Sequence, residues 1–202
     1  MMRTLPLIDE LEAAVSAGSD LRRIEMLTRI TDLFVGGAER FSEEQIGVFD
    51  DVMARLVGAI EAKARAILAQ RLAPIANAPS GVVHILAFDD DIEVAQSVLQ
   101  HSERLQDSAL LANANSKSQR HLFAISRRRQ LSEAVTDILV QRGDREVVYS
   151  VARNAGARFS EAGFRTLVTR AANEACTITV LRTSRVCTIE MPMLLPMLRT
   201  RL

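Results

Sequence analysis

Tryptophan is absent from this chain of 202 residues, and aromatic side chains make up only 4% of it. A core without large rings must come from Leu, Ile, Val and Ala, which favours close helix–helix packing over an aromatic-rich sheet. Lysine occurs only at Lys63 and Lys117, so nearly all positive charge is arginine. Cysteine also occurs twice, at Cys176 and Cys187. Two thiols 11 residues apart supply neither a disulfide framework nor a zinc site. They read as small buried hydrophobes. No run approaches the roughly 18 continuous apolar residues of a membrane-spanning helix. The start, MMRTLPLIDELEAAV, lacks the apolar stretch of a signal peptide. A cytoplasmic protein that does not engage a membrane is the expectation. There is no G-x-S-x-G, no H-E-x-x-H and no Gly-rich phosphate loop, which argues against an enzyme and names no catalytic residue and no cofactor.

What is present is a phrase that repeats. Residues 131–142 read LSEAVTDILVQR and residues 159–170 read FSEAGFRTLVTR. Ser132-Glu133-Ala134 maps to Ser160-Glu161-Ala162, Leu139-Val140 to Leu167-Val168 and Arg142 to Arg170, at an offset of 28 residues. Self-similarity at a period of about 20–50 residues marks stacked repeat architectures, in which each unit hides the apolar face of its neighbour.

Almost every segment carries helical periodicity. Ile46, Phe49, Met53, Leu56 and Ile60 share one face of a helix over 42–62, opened by a Ser42/Gln45 capping box. Two shorter helices, about 6–17 and 20–35, precede it, and Gly36-Gly37 stops the second. Residues 1–63 thus form an N-terminal helical unit packed on a repeat domain at 64–202. From residue 64 the helices shorten and pair. Asn77, Pro79, Ser80 and Gly81 form a corner, and Ala64, Ala66 and Ala69 allow close approach. Asp90 with Glu93, Asp107, Ser116 with Gln119, and Asp144 after Gly143 are expected helix starts. The units run 64–89, 90–115, 117–143, 144–172 and 173–200, each a helix, a corner and a second helix. CTITVL at 176–181 is the best strand candidate, yet its place in the repeat predicts a helix. The apolar end MPMLLPML at 191–198 predicts burial in a homodimer, or a chain truncated with respect to a longer one.

Net charge is zero but unevenly spread. Residues 1–110 hold 18 acidic and 10 basic side chains, a balance of −8, and residues 111–202 hold 7 and 15, a balance of +8. One reading is a solvated surface on which the signs mix; the other is head-to-tail self-contact or an anionic partner for the basic half. Asp89-Asp90-Asp91 with Glu93 could gather a divalent cation, but consecutive residues diverge and no EF-hand spacing follows. Favourable negative charge at a helix N-terminus explains them, so no metal is expected. His84, His101 and His121 share no helix face at metal spacing. His84 and His121 read as packed side chains. Arg127-Arg128-Arg129, with Arg120 nearby, is the basic cluster, and Arg forks suit phosphates and carboxylates. Phe123, Tyr149, Phe159 and Phe164 have spacing that suits a core rather than a stacking platform.

The phrases LAFDDDIEVAQSVLQHSERLQDSALL (86–111), HLFAISRRRQLSEAVTDILVQRGD (121–144) and VVYSVARNAGARFSEAGFRTLV (147–168) carry a family likeness. Over residues 56–198 the chain resembles domain of unknown function 2336, a bacterial family with HEAT-like helical repeats. The resemblance implies an all-α solenoid of bacterial origin and brings no established activity. Arg153-Asn154-Ala155-Gly156-Ala157 is also similar to a short phrase of leucine-rich-variant repeats.

The expectation is therefore an all-α protein, an α-solenoid of HEAT-like helix pairs behind an N-terminal helical unit, acting as a non-catalytic scaffold or adaptor for an unknown protein partner. Arg127, Arg128, Arg129, Arg153 and Arg158 are the contact candidates. A nucleic-acid module using the same arginines and an enzyme with a concave-face site stand as rivals. Neutralisation of those arginines by Glu133, Asp137, Glu146 and Glu161 would exclude nucleic acid.

Overall fold

A computed structural model describes residues 20–173, 178–182 and 185–189. From Asp20 to Asn173 the chain is all-α. The first two helices are α1 (Asp20–Gly37) and α2 (Glu43–Val57), joined by a 3-10 turn at Ala38–Arg40. Then come α3 (Ala62–Leu72), α4 (Ser80–Ala87), α5 (Ile92–His101) and α6 (Asp107–Ser116). The series ends with α7 (Gln119–Ser126), α8 (Glu133–Arg142), α9 (Arg145–Arg153) and α10 (Glu161–Asn173). The four units expected between 64 and 172 are thus each a helix pair. Residues 6–17 and the apolar end at 191–198 lie outside the described residues.

The N-terminal helices follow their sequence signals. Ser42 accepts from the Gln45 amide while Gln45 Oε1 accepts from the Ser42 amide, the reciprocal cap the sequence predicts. Ile46, Met53 and Leu56 are buried along one face, but α2 ends at Val57, short of the expected residue 62. Phe34, Phe41 and Phe49 form the one aromatic cluster of this part, with ring centroids 5.0 to 6.0 Å apart. A Cβ on Gly37 would stand 2.7 Å from the Phe41 ring, so the glycine at the end of α1 makes room for that cluster.

Beyond residue 60 the helices fall into two alternating sets. Odd-numbered helices touch in series, α1 to α3, α3 to α5, α5 to α7 and α7 to α9. Among the even-numbered ones, α2 touches α4, α6 touches α8, and α8 touches α10. Buried Leu, Ile, Val and Ala from both sets form one continuous core.

Side chains from each unit close the open helix ends of the one before. A helix leaves its last four carbonyls without internal partners, and its negative end favours a cation. At the first set of corners, Arg104 Nε donates to Ala78 O (2.9 Å). Arg128 donates to Leu99 O (2.7 Å) and Ser102 O (2.8 Å), and Asn154 Nδ2 donates to Ser126 O (2.8 Å) and Arg128 O (2.7 Å). At the second set, Asn113 donates to Ala87 O, Arg142 to Ala114 O, and Arg170 to Val140 O and Gly143 O. The Arg142/Arg170 identity in the repeated phrase is therefore a recurring carbonyl cap. Its Ser132/Ser160 identity is a recurring N-terminal cap: Ser132 accepts from the Val135 amide and Ser160 from the Gly163 amide. Asp50 of α2 does the same across units, accepting from the Gly81 and Val82 amides at 2.7 Å.

Several expected starts are displaced. Asp91, not Asp90, caps α5 by accepting from the Glu93 amide, while Asp90 pairs with Lys117. Gln106 holds the cap position of α6 and Asp107 lies in its first turn. Ser116 ends α6 with its hydroxyl on Ala112 O, and Ser118 precedes α7, so no Ser116/Gln119 box forms. Gly143 and Asp144 stand where expected, with Asp144 accepting from the Val147 amide.

The fifth unit is the main departure. In place of a helix pair, β1 (Ile178–Arg182) and β2 (Arg185–Ile189) form an antiparallel hairpin with Ile178 opposite Ile189 and Val180 opposite Cys187. β1 lies against α9. The β-branched run ITV overrides the repeat register, as residues that suit a pleated surface do. Cys176 lies outside the described residues.

A bidentate pair ties α2 to the corner between α5 and α6: Arg104 donates to both Glu43 oxygens, at 3.3 and 2.8 Å. Hydrogen bonding to Arg104 holds the Glu43 carboxyl below its ordinary value. The stability this pair supplies is present above the ordinary carboxylate range and is lost as pH falls through the depressed value.

Two glycines give opposite predictions. Gly156 sits against the Arg129 carbonyl, which an added Cβ would strike, whereas Gly47 in α2 is exposed with nothing within 4 Å. Denaturant titration should find Gly156→Ala destabilised by about 1–3 kcal/mol. Gly47→Ala should be stabilised by about 0.5–1 kcal/mol, since glycine is costly inside a helix.

Candidate functional site

The candidate site lies on the outer faces of α7 and α9. Both helices bury a Val, Leu, Ile or Ala stripe, which turns their other faces outward. Phe123 is 36% exposed and Tyr149 42% exposed, although the spacing of both suggests core positions. Each carries an arginine one turn on. The Arg127 guanidinium lies 5.9 Å from the Phe123 ring centroid. That of Arg153 lies 5.3 Å from the Tyr149 centroid and donates to the Tyr149 hydroxyl at 2.7 Å. A guanidinium over a ring is held by the ring quadrupole, so both cations are placed before any partner arrives.

A groove of about 810 Å³ runs between these pairs, lined by Phe123, Arg127, Arg128, Arg129, Glu146, Tyr149 and Arg153, with Ser126, Ser150 and Asn154 at its floor. Ser126 and Ser150 join the two helices there, hydroxyl to hydroxyl at 2.7 Å. A second hollow of about 300 Å³ shares Phe123, Arg127 and Glu146 and extends toward α5 through Gln96, Gln100, Gln119 and Arg120. A third hollow shares Arg127, Arg128 and Arg129 and adds Glu103 and Asp107.

The structure thus brings together four of the five arginines singled out from sequence, but they do different work. Arg127, Arg129 and Arg153 are exposed, and none of them enters the ion pairs found among the described residues. Arg128 is half-buried and spends its guanidinium on Leu99 O and Ser102 O. Burial pulls its pKa down, against the opposing pull of Asp107 and Glu103. Arg158 is exposed on the corner before α10, where its amide donates to Leu131 O, and it does not line the groove. Of the acidic residues expected to neutralise the cluster, only Glu146 borders it. Glu161 pairs with Arg165 and Asp137 accepts from Ser160. Phe123 and Tyr149, whose spacing suits a core, line the groove instead, as do Ser126 and Ser150, which no sequence pattern marks.

Other candidates resolve into structural roles. Asp89 pairs with Arg65 at 2.6 Å and accepts from the Asp91 amide. His121 is buried, bonded to Ser118 Oγ and to Asp89 O at 2.9 Å, as a packed histidine should be. His84 is exposed, contrary to expectation, and lies against Phe88 with ring centroids 4.5 Å apart. Among the described residues, no three His, Cys, Asp or Glu side chains gather as a metal site, and no helix is long and apolar enough to cross a membrane.

The two neighbouring arginines should separate cleanly by thermal and denaturant unfolding. Arg128→Ala strips two carbonyls of a charged donor and should cost about 2–3 kcal/mol. Arg127→Ala removes an exposed side chain and should stay within about 0.5 kcal/mol of the parent.

No curated protein and no solved structure matches the chain. Residues 94–183, a stretch that holds α7, α9 and every groove arginine, match the model of the family DUF2336, an uncharacterised protein conserved in bacteria, and in that stretch the chain is similar to that family.

Proposed function

We propose that the chain is a non-catalytic helical-repeat scaffold of HEAT-like pairs, an adaptor that holds a protein partner in the groove across α5, α7 and α9 within a bacterial cell. Paired helices with alternate contacts, and side chains that cap the preceding unit, support the solenoid reading. The observation that carries the binding reading is the pair of exposed aromatic–arginine units, Phe123/Arg127 and Tyr149/Arg153, repeated on neighbouring helices. Tyr, Phe and Arg are the side chains enriched where proteins meet, since they combine buried area with directed hydrogen bonds.

Nucleic acid is the rival reading. In its favour are Arg127, Arg129 and Arg153, which enter no ion pair among the described residues. Against it stand the Glu146 carboxylate in the same groove and the two rings, each with a face already covered by a guanidinium rather than open to a base.

Affinity capture from nuclease-treated bacterial lysate tests the proposal, with the parent chain and Arg127→Glu/Arg153→Glu compared at equal helicity by circular dichroism. Proteins retained by the parent and lost from the variant are the expected outcome. Identical capture by both would remove the groove as the binding surface. Recovery of nucleic acid alone from untreated lysate, with a steep loss on added salt, would favour the rival.

A further inference from the structure

We infer that the groove between α7 and α9 takes an extended acidic peptide, one that presents two carboxylates three residues apart in a polyproline-II conformation. The inference rests on the protein-binding reading above and names the chemistry of the partner. Three observations lead to it. Arg127 and Arg153 occupy corresponding places on two helices in contact, at the ends of α7 and α9, each steadied by its own ring. Their guanidinium groups are not consumed by internal ion pairs among the described residues, unlike Arg65, Arg104, Arg120 and Arg165. The floor between them holds Ser126 and Ser150, already bonded to each other, so it offers a shallow, satisfied surface rather than a cavity that demands a buried group.

Spacing then selects the ligand. Packed helices stand about 8–10 Å apart, which is the spacing of the backbone positions from which Arg127 and Arg153 extend. A polyproline-II chain rises about 3.1 Å per residue with three residues per turn, so side chains three apart share an edge about 9 Å apart. In a pleated strand, side chains on one face recur every second residue, at about 7 Å or about 13 Å, and match neither limit. Each guanidinium can then meet one carboxylate through charge-assisted hydrogen bonds. The residues between the two acids pass over the serine floor, where a proline would hold the required backbone at no cost in hydrogen bonds. Arg129 adds positive field at the same groove, whereas Glu146 opposes any anion there.

Fluorescence anisotropy with the full chain and labelled peptides about a dozen residues long tests this. The peptides carry two glutamates at every spacing from adjacent to five apart, with a proline between them wherever a residue intervenes, with glutamine versions as controls and an unrelated single-stranded oligonucleotide as a further arm. Binding should peak at a spacing of three. It should weaken about tenfold when either glutamate becomes glutamine and about tenfold in Arg127→Ala or Arg153→Ala. Glu146→Gln, a surface change, should tighten binding several-fold. Equal binding at all spacings, undiminished binding of the glutamine peptides, or preference for the oligonucleotide would overturn the inference. Absence of any peptide binding, together with lysate partners that the double variant still loses, would overturn it while leaving the protein-binding reading intact.

Discussion

The closure of the carbonyl ends of α4 to α8 by side chains of the following unit is the interaction on which the rest of this structure depends. Short helices of two or three turns are marginal alone, because nucleation is costly and most of their polar groups lie near an end. Here Arg104, Arg128 and Asn154 serve one series of ends, and Asn113, Arg142 and Arg170 the other. The donors stand about one unit away in sequence: 26 residues separate Arg104 from Ala78, Arg128 from Ser102, Asn154 from Arg128 and Asn113 from Ala87. Arg104, Arg128 and Asn154 are thus each part of their own corner and the cap of an earlier one, whereas Asn113, Arg142 and Arg170 cap from within α6, α8 and α10. Apolar burial makes the units adhere, but it tolerates sliding. Directed bonds to particular carbonyls fix the rotation and register of one unit on the next.

That register places the candidate site. Arg128 and Asn154 are turned inward to carbonyls, and the residues just before them, Arg127 and Arg153, are consequently turned outward at the rim. Asn154 also accepts from the Gly156 amide, and Gly156 O in turn accepts from the Leu131 amide, so the corner after α9 is stitched to the corner after α7. The groove is therefore a by-product of the same caps that hold the stack together. Its two aromatic–arginine units face the same way because their neighbours are tied.

Much of this was legible in the sequence, for reasons that differ element by element. Ser42 with Gln45 announced a helix start because both halves of the cap are short-range. Ser132/Ser160 and Arg142/Arg170 were visible because an identical job at an identical place keeps an identical residue. Asp91 was confused with Asp90 because three consecutive carboxylates offer the same chemistry and only the backbone decides which one is in reach. The helix expected at 176–181 failed because repeat register carries no energy of its own once β-branched residues favour pairing. The aromatic pair was missed for a more instructive reason. First helices of a unit recur at 26 residues, from Gln119 to Arg145, whereas second helices recur at 28, from Glu133 to Glu161. The conspicuous phrase belongs to the second set. Phe123 and Tyr149, and Arg127 and Arg153, come into line only at the other offset, and a search at 28 passes over them.

Asn154→Leu offers the most direct trial of the carbonyl caps, because it keeps the branched shape and removes three hydrogen bonds, two to the preceding corner and one to Gly156. Equilibrium unfolding in urea, followed by circular dichroism, should show a loss of about 2–4 kcal/mol, the cost of stranding part-buried carbonyls and an amide. A stability unchanged from the parent would mean that apolar contact alone holds the units in register and that the side-chain caps are incidental.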